Sequence, residues 1–419
     1  MFPNLPPTWT TKKIGELCDV SRGASPRPIH DQRYFEEGTI PWIKIADATK
    51  SGKYLYETKQ YVNEFGASFS KLLPPGTILV AASGTLGYTQ ILGVEGCAHD
   101  GWLILQNLRE FDRDYAYYTL QWMERHFYNS AYGAAIQNIN TTILKETEIP
   151  YPPLPTQRKI AAVLSAYDDL IENNTRRIAV LEEMARLLYR EWFVRFRFPG
   201  HEDVAMVDSE LGPVPQGWEV KPLGDFGEVI TGKTPSKKVA EYYDDYMPFI
   251  KIPDMHGKIF CIQTADNLSE AGADSQKQKT LPPDSLCVSC IGSAGLVTIT
   301  TVPSQTNQQI NSIILKNKVD REFLYFALVG LKETINQYGA TGATMVNLSR
   351  GKFVGLQVIY PDQETLVAFH GMTFPLFEQI RVAQLKNEVL RRTRDLLLPR
   401  LVSGQVDISE LEIDAGQVG

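Results

Sequence analysis

The chain has 419 residues, a formal net charge of −7, 43% apolar and 22% charged residues. That is the composition of an ordinary globular protein with room for two or three domains, and it excludes a disordered or fibrous chain. The acidic balance argues mildly against nucleic acid as a partner, so any such role has to rest on local basic faces.

The stretch Met1 to Thr8 is polar and Pro-rich, and no apolar run approaches the length of a membrane span; neither export nor membrane insertion is expected. Five cysteines (18, 97, 261, 287 and 290) form an odd, sparse set that fits a reducing, cytoplasmic setting.

Along the chain, residues 1–155 read as a mostly β domain with short helices. Thr77 to Ala82 has the look of a strand, and Tyr115 to Phe127 spaces its aromatic and Leu residues as a helix does. From Gln157 to Phe196 there is no Pro or Gly. Ile160, Leu164, Tyr167, Ile171, Asn174, Ile178, Leu181, Ala185, Leu188 and Trp192 recur there at spacings of four and three. The spacing predicts a long helix within 156–198, a rod of roughly 57 Å at ~1.5 Å per residue. Thr156 is its expected N-cap and Pro199-Gly200 its stop. Residues 199–217 carry Gly, Pro and Asp without periodicity and read as a linker.

Residues 218–362 then repeat the first domain. Trp9 to Leu17 matches Trp218 to Phe226, and Pro41-Trp-Ile-Lys-Ile matches Pro248-Phe-Ile-Lys-Ile. Leu73-Pro-Pro-Gly matches Leu281-Pro-Pro-Asp, and Gly133 to Asn138 matches Gly342 to Asn347. Gln308 to Leu315 reads as a strand and Arg321 to Tyr338 as a helix. A second rod over 363–404 follows, with Phe369, Thr373, Leu376, Ile380, Ala383, Asn387, Leu390, Arg394, Leu397 and Leu401 in the repeated seam positions. Gly371 and Pro375 interrupt it, so it is expected to bend or to begin late. Asn174 and Asn387 fall at different heights when the rods are aligned by the repeat, and a polar seam residue commonly fixes register. The acidic tail 405–419 is expected to fray.

Catalytic signatures are missing. There is no phosphate-binding Gly-rich loop, and no Pro-Pro pair has the polar residue before it and the aromatic after it that adenine methylation uses. Cys287-Val-Ser-Cys290 lacks a second pair for zinc and reads as strand core. What remains is a set of loop residues suited to phosphates and base edges. Arg22, Ser25 and Arg27 correspond to a loop carrying Lys233, Thr234, Lys237 and Lys238. Lys44 and Lys251 occupy equivalent places at strands, where alternation predicts an outward side chain. Ser83 and Thr85 match a turn containing Ser293. His99 and the residue after it are aligned with Gln308 and Gln309, and Gln137 and Asn138 with Asn347. Amides can read adenine edges, although a loop Asn also simply makes turns.

The motifs Pro152-Pro-Leu-Pro-Thr-Gln-Arg-Lys-Ile160, Leu187-Leu-Tyr-Arg-Glu-Trp-Phe193, Ser209-Glu-Leu-Gly-Pro-Val-Pro-Gln-Gly-Trp218 and Leu396-Leu-Leu-Pro-Arg-Leu-Val-Ser-Gly404 resemble the specificity subunit of type I restriction-modification enzymes. The resemblance covers nearly the whole chain. It implies an α+β protein with two tandem, mostly β target-recognition domains, each followed by a long helix, the helices pairing as an antiparallel coiled coil. It also implies a non-catalytic subunit that reads a bipartite double-stranded DNA site and docks two methylase subunits and restriction subunits. S-adenosylmethionine, ATP and Mg would sit on those partners, and no cofactor or metal on this chain. The alternative from the residues alone is a helical scaffold that never touches DNA.

Overall fold

The computed structural model describes residues 2, 5–48, 52–131, 138–339 and 347–413. The chain forms two units, residues 1–172 with 389–419, and residues 173–388. Both long helices contribute to both units.

In the first unit a five-stranded sheet runs in the order Asp19–Arg22, Trp102–Gln106, Ile78–Ala81, Thr89–Leu92, Tyr54–Leu55. Neighbours are antiparallel except the last pair. A second sheet joins Tyr61–Val62, Ile40–Ile43, Gly96–Ala98 and Leu72–Leu73. Thr10–Lys13 pairs with Glu148–Tyr151 and ties the start of the domain to the segment entering the first long helix. The second unit repeats the main sheet as Gly227–Thr231, Ile310–Leu315, Leu286–Ser289, Val297–Thr300 and Phe260–Cys261. Its central strand Leu286–Ser289 is fully buried, as a strand covered on both faces must be. Cys287 and Cys290 pack inside, beside Ser312 and Asn311, in the core role expected of them. The expected helices form as two pieces each, Arg113–Trp122 with Glu124–Ala131 and Arg321–Gly330 with Lys332–Gly339.

The first long helix is α-helical over Leu154–Tyr189 and closes in a π-turn, Arg190–Val194. It begins two residues before Thr156, which lies buried in its first turn and is not its cap. The N–H groups of Thr156 and Gln157 donate to the Pro153 carbonyl. The helix stops at Phe196, whose φ of 56° leaves the helical region ahead of Pro199. The aromatic ring of Phe196 packs on Trp218.

The second long helix spans Gln363–Val402. It does not begin late, and it stays helical through Pro375. Proline costs the hydrogen bond its N–H would give to residue 371, and that residue is an exposed glycine whose carbonyl can turn to water. Burial of Phe369, Phe377 and Ile380 on the opposite face holds the helix through the defect.

The two helices run antiparallel. In the first unit the Arg394 guanidinium binds the Asp168 carboxylate, and Leu401 and Val402 share a core with Ile160 and Leu164. Leu397 packs against the same cluster. In the second unit Asn174 Nδ2 donates to Asn387 Oδ1 at 2.9 Å. Leu181, Ala185 and Trp192 share a core with Phe369 and Ile380, and Ile178, Leu188 and Leu376 pack against it. Tyr167, Ile171 and Leu390 are half-buried on the same stripe. The two asparagines therefore stand at one height, not two. A repeat offset compares the helices in parallel, whereas antiparallel pairing reverses one of them.

The linker carries regular structure, and the described part of the tail, residues 405–413, is packed. Within the linker, Met206–Ser209 and Gly212–Pro215 make a hairpin turning at Gly212, φ 97°. In the tail, Ile408 is buried, Ile413 packs on the first unit's core, and the Ser409 carbonyl accepts from Lys159 Nζ.

The Phe369 ring is fully buried against Tyr189, Trp192 and Phe193, whereas Leu396 is 57% exposed. Phe369→Ala should lower unfolding free energy by about 3–5 kcal/mol and Leu396→Ala by less than ~0.5 kcal/mol, read from urea midpoints.

Candidate nucleic-acid interface

In the first unit the sheet edge delivers three loops to one place. Gly23 N–H donates to the Trp102 carbonyl and Ala24 N–H to the Ala98 carbonyl, laying the 22–27 loop along residues 98–102. A Cβ on Gly23 would fall 2.2 Å from the His99 carbonyl oxygen, so only glycine allows this approach. Ala82 N–H donates to the Gly101 carbonyl, which brings Ser83 and exposed Thr85 alongside. Ile139 N–H donates to the Ala82 carbonyl and places Asn138 beside them; Gln137 lies outside the described residues.

Asp100 is the hub of this cluster. Its carboxylate takes Arg27 at 2.5 Å, its carbonyl takes Arg22 Nε at 2.7 Å, and its N–H donates to Ser25 Oγ at 3.2 Å. The Lys44 ammonium sits 4.5 Å above the Trp42 ring, and Trp42 also packs on His99. Burial weighs against the Asp100 charge, but His99, Ser25 and Arg27 together hold its carboxyl below the usual range. His99 moves the other way from a cation. Burial depresses its pKa, Lys44, Arg27 and Arg22 add to that, and Asp100 opposes it without prevailing. Gly101 N–H donates to His99 Nδ1, which suits the neutral ring.

The second unit builds the same edge with different side chains. Gly232 N–H donates to the Ile310 carbonyl and Lys233 N–H to the Thr306 carbonyl. These bonds show that Asn307 stands where His99 stands, and Gln308 where Asp100 stands. The sequence alignment of His99 with Gln308, and of its neighbour with Gln309, is therefore one residue off. Aligning His99 with Gln308 takes the offset of 209 that relates Gly23 to Gly232, whereas the flanking matches Leu73 with Leu281 and Arg113 with Arg321 run at 208. Thr234 Oγ1 donates to Gln308 Oε1 at 2.6 Å, the counterpart of the Ser25–Asp100 contact. Gln309 turns inward, accepting from Asn307 Nδ2 at 3.0 Å. Lys233, Lys237 and Lys238 are exposed, and Lys237 stands near enough to Lys251 to repel it. Exposed Ser293 lies in the turn matching 83–87, and Asn347 bridges to Ile291 next to that turn.

Lys44 and Lys251 fall one residue beyond the strands Ile40–Ile43 and Met247–Ile250, so strand alternation does not aim them. Instead each backbone N–H is capped three residues on, by Asp47 and Asp254. The Lys251 ammonium is paired with Asp266, whereas the Lys44 ammonium lies over the Trp42 ring. The sequence reading also missed the buried pairs that anchor each domain. Lys53 meets Asp114 at 3.1 Å, and Arg321 meets Glu322 at 2.6 Å. The signal was present, since Arg113-Asp114 and Arg321-Glu322 are equivalent in the repeat.

Among the described residues no group of three or more His, Cys, Asp or Glu is arranged to hold a metal, and no helix is long and apolar enough to cross a membrane. Two copies of one scaffold, each carrying a loop edge of cations, amides and hydroxyls, define a duplicated recognition protein. Comparison with known proteins places it. The profile of the type I restriction modification DNA specificity domain matches twice, at residues 6–183 and 215–368. The HindI specificity subunit of Haemophilus influenzae is 35% identical over 312 residues, 61% of this chain and 68% of the relative. The MjaIX specificity subunit of Methanocaldococcus jannaschii is 29% identical over 97% of this chain and 95% of its own. A crystal structure of the S subunit from M. genitalium superposes with a TM-score of 0.61 over 96% of this chain and 97% of that one, at 19% identity. The chain belongs to the family of type I restriction-modification specificity subunits, which recognise DNA sequence and carry no catalytic site.

The depressed pKa of His99 has a sign that can be checked. Because the folded state favours the neutral ring, stability contributed here is intact above the ordinary value of ~6.5 and falls as pH drops below it. In an NMR titration the His99 ring should protonate below ~6.5, and replacing Asp100 with Asn should lower its midpoint further, since the opposing carboxylate is gone.

Proposed function

We propose that each recognition domain, 1–155 and 218–362, reads one half of a bipartite DNA site, and that the helix pair fixes the distance between the halves. The observation that carries this is the repeated loop edge: equivalent backbone bonds from Gly23 and Ala24 in one copy and from Gly232 and Lys233 in the other hold the two loops, while the side chains they present differ, Ser25 beside Asp100 and Thr234 beside Gln308. One scaffold with two side-chain sets is what two different half-sites require. Arg22, Arg27 and Lys44 in one copy, and Lys233, Lys237 and Lys238 in the other, supply the local positive charge that phosphate contact needs despite the acidic chain.

The long helices, 156–198 and 363–404 in the sequence reading, also offer apolar surface. Val180, Met184 and Leu187 on one helix and Val382, Leu385 and Val389 on the other are exposed. Such residues on a paired helix fit a docking face for methylase subunits, which would bring S-adenosylmethionine, with restriction subunits, ATP and Mg joining that core. The site of action is the cytoplasm, where the DNA is.

The antiparallel seam dictates how the ruler is tested. Seven residues in one helix alone would break the Asn174–Asn387 pairing, so a heptad goes into each helix at facing positions. The rod should lengthen by about 10 Å, or roughly three base pairs, and the spacer of the methylated motif should grow accordingly with both half-sites kept. A spacer of unchanged length in an active complex contradicts the ruler.

A further inference from the structure

The loop edges of the two units differ in hydrogen-bonding chemistry at one equivalent place, and the difference is specific enough to name bases. In the first unit Asp100 carries two guanidinium groups. Arg27 gives one N–H to its carboxylate and Arg22 gives Nε–H to its carbonyl. A guanidinium has five N–H donors and no acceptor, so each arginine keeps a donor edge beyond Asp100. The Arg27 side chain is 68% exposed while so held. In the second unit the positions of Arg22 and Arg27 hold Thr231 and Ser236, and Thr231 is spent on Asn311. The place of Asp100 holds Gln308, whose Oε1 takes the Thr234 hydroxyl and whose exposed Nε2 keeps both donors.

We infer that the first unit reads a guanine through Arg27, with Asp100 as its positioning residue, and that the second unit reads an adenine through Gln308, positioned by Thr234. This rests on the bipartite reading proposed above. The major-groove edge of guanine offers two acceptors, O6 and N7, which a donor-only fork matches. Adenine offers one acceptor and one donor, which an amide with a free N–H and a remaining oxygen lone pair matches. Buttressing matters because an unheld arginine or glutamine loses rotamer freedom on binding. The Arg27–Asp100 contact at 2.5 Å and the Thr234–Gln308 contact at 2.6 Å meet part of that cost before DNA arrives. Arg22, fixed by a backbone carbonyl whatever residue 100 is, is left for the phosphates.

The test is selection of randomised duplex DNA by the complex purified from its host through a tag on this chain, followed by sequencing. The wild type should return two half-sites. Arg27→Lys keeps the charge but loses the planar fork. It should retain overall binding and lose preference for one guanine by about tenfold to a hundredfold, with the other half-site unchanged. Asp100→Asn should relax that same guanine, and Asp100→Glu should restore part of it. Gln308→Glu, an acceptor-only side chain, should move one adenine position toward cytosine. Arg27→Lys and Gln308→Glu profiles identical to wild type, or changes at bases other than guanine and adenine respectively, overturn this inference alone. A wild-type complex that selects no motif overturns the bipartite reading along with it. Variants that fail to accumulate are replaced by Arg27→Gln and Gln308→Met, which leave the positioning residues in place and carry the same two expectations of lost preference.

Discussion

The antiparallel contact between the two long helices is the constraint on which the rest depends. Each recognition domain is tied to it by its own core: Ile160, Leu164 and Leu401 in one, Trp192, Phe369 and Phe377 in the other. In the second unit the seam carries a polar pair, Asn174 on Asn387, with Asn387 nearly inaccessible to water and also bonded to Thr175. An apolar pair there would add stability, yet it would tolerate sliding. Slipping one helix by a turn would leave a buried amide unpaired, at about 1–3 kcal/mol. Asp168 adds a charged version of the same restraint, taking Arg394 across the helix pair and the Tyr118 hydroxyl from the recognition domain at 2.6 Å. These polar contacts favour one register of the helix pair over the last increment of stability.

The electrostatics follow the same division between scaffold and edge. The chain is acidic as a whole, but its charges are not evenly placed. Much of the basic charge near the first domain's loops gathers around His99 and a single carboxylate, Asp100, which spreads its bonds over Arg22, Arg27 and Ser25. Screening at ~8–10 Å under physiological salt makes such a local cluster matter more to a bound phosphate than the distant net charge. In the buried anchors the logic reverses. Glu322, without exposure, is paired with Arg321 at 2.6 Å, which compensates a charge that could not otherwise be buried, and its second oxygen meets His370 Nδ1 at 2.6 Å.

Much of the fold was legible because repetition constrains interpretation. Paired motifs fixed the duplication, and the 3-4 spacing fixed both rods. What stayed hidden depends on geometry that spacing does not encode. Aligning Asn174 and Asn387 through the repeat gave them different heights because an offset cannot express direction. Two offsets compete at Asn307 and Gln308, the 209 of Gly232 and the 208 of Leu281 and Arg321, and the carbonyls that the Gly23 and Gly232 N–H groups find decide for 208. Gly371 and Pro375 pointed to a bend or a late start, yet the helix begins at Gln363, and tertiary burial of Phe369, Phe377 and Ile380 outweighs one lost helical bond. The hairpin at Met206–Pro215 has two prolines, Pro213 and Pro215, in one strand, which suits the edge of a two-stranded ribbon but reads as linker in sequence. Of the candidate site, the loops were singled out by their residue types, whereas the role of Asp100 as hub was not, because the residues it holds, Arg22, Ser25 and Arg27, lie 73 to 78 residues away in sequence.

The central claim is that this chain alone determines which split DNA sequence its complex marks. The most direct measurement is a genome-wide map of methylated adenine in the native host with and without the gene for this chain. The account predicts that one motif made of two short half-sites and a fixed spacer loses its methylation completely on deletion and regains it on complementation. An unchanged methylation map, from cells in which the protein is present and bound to methylase subunits, would contradict it.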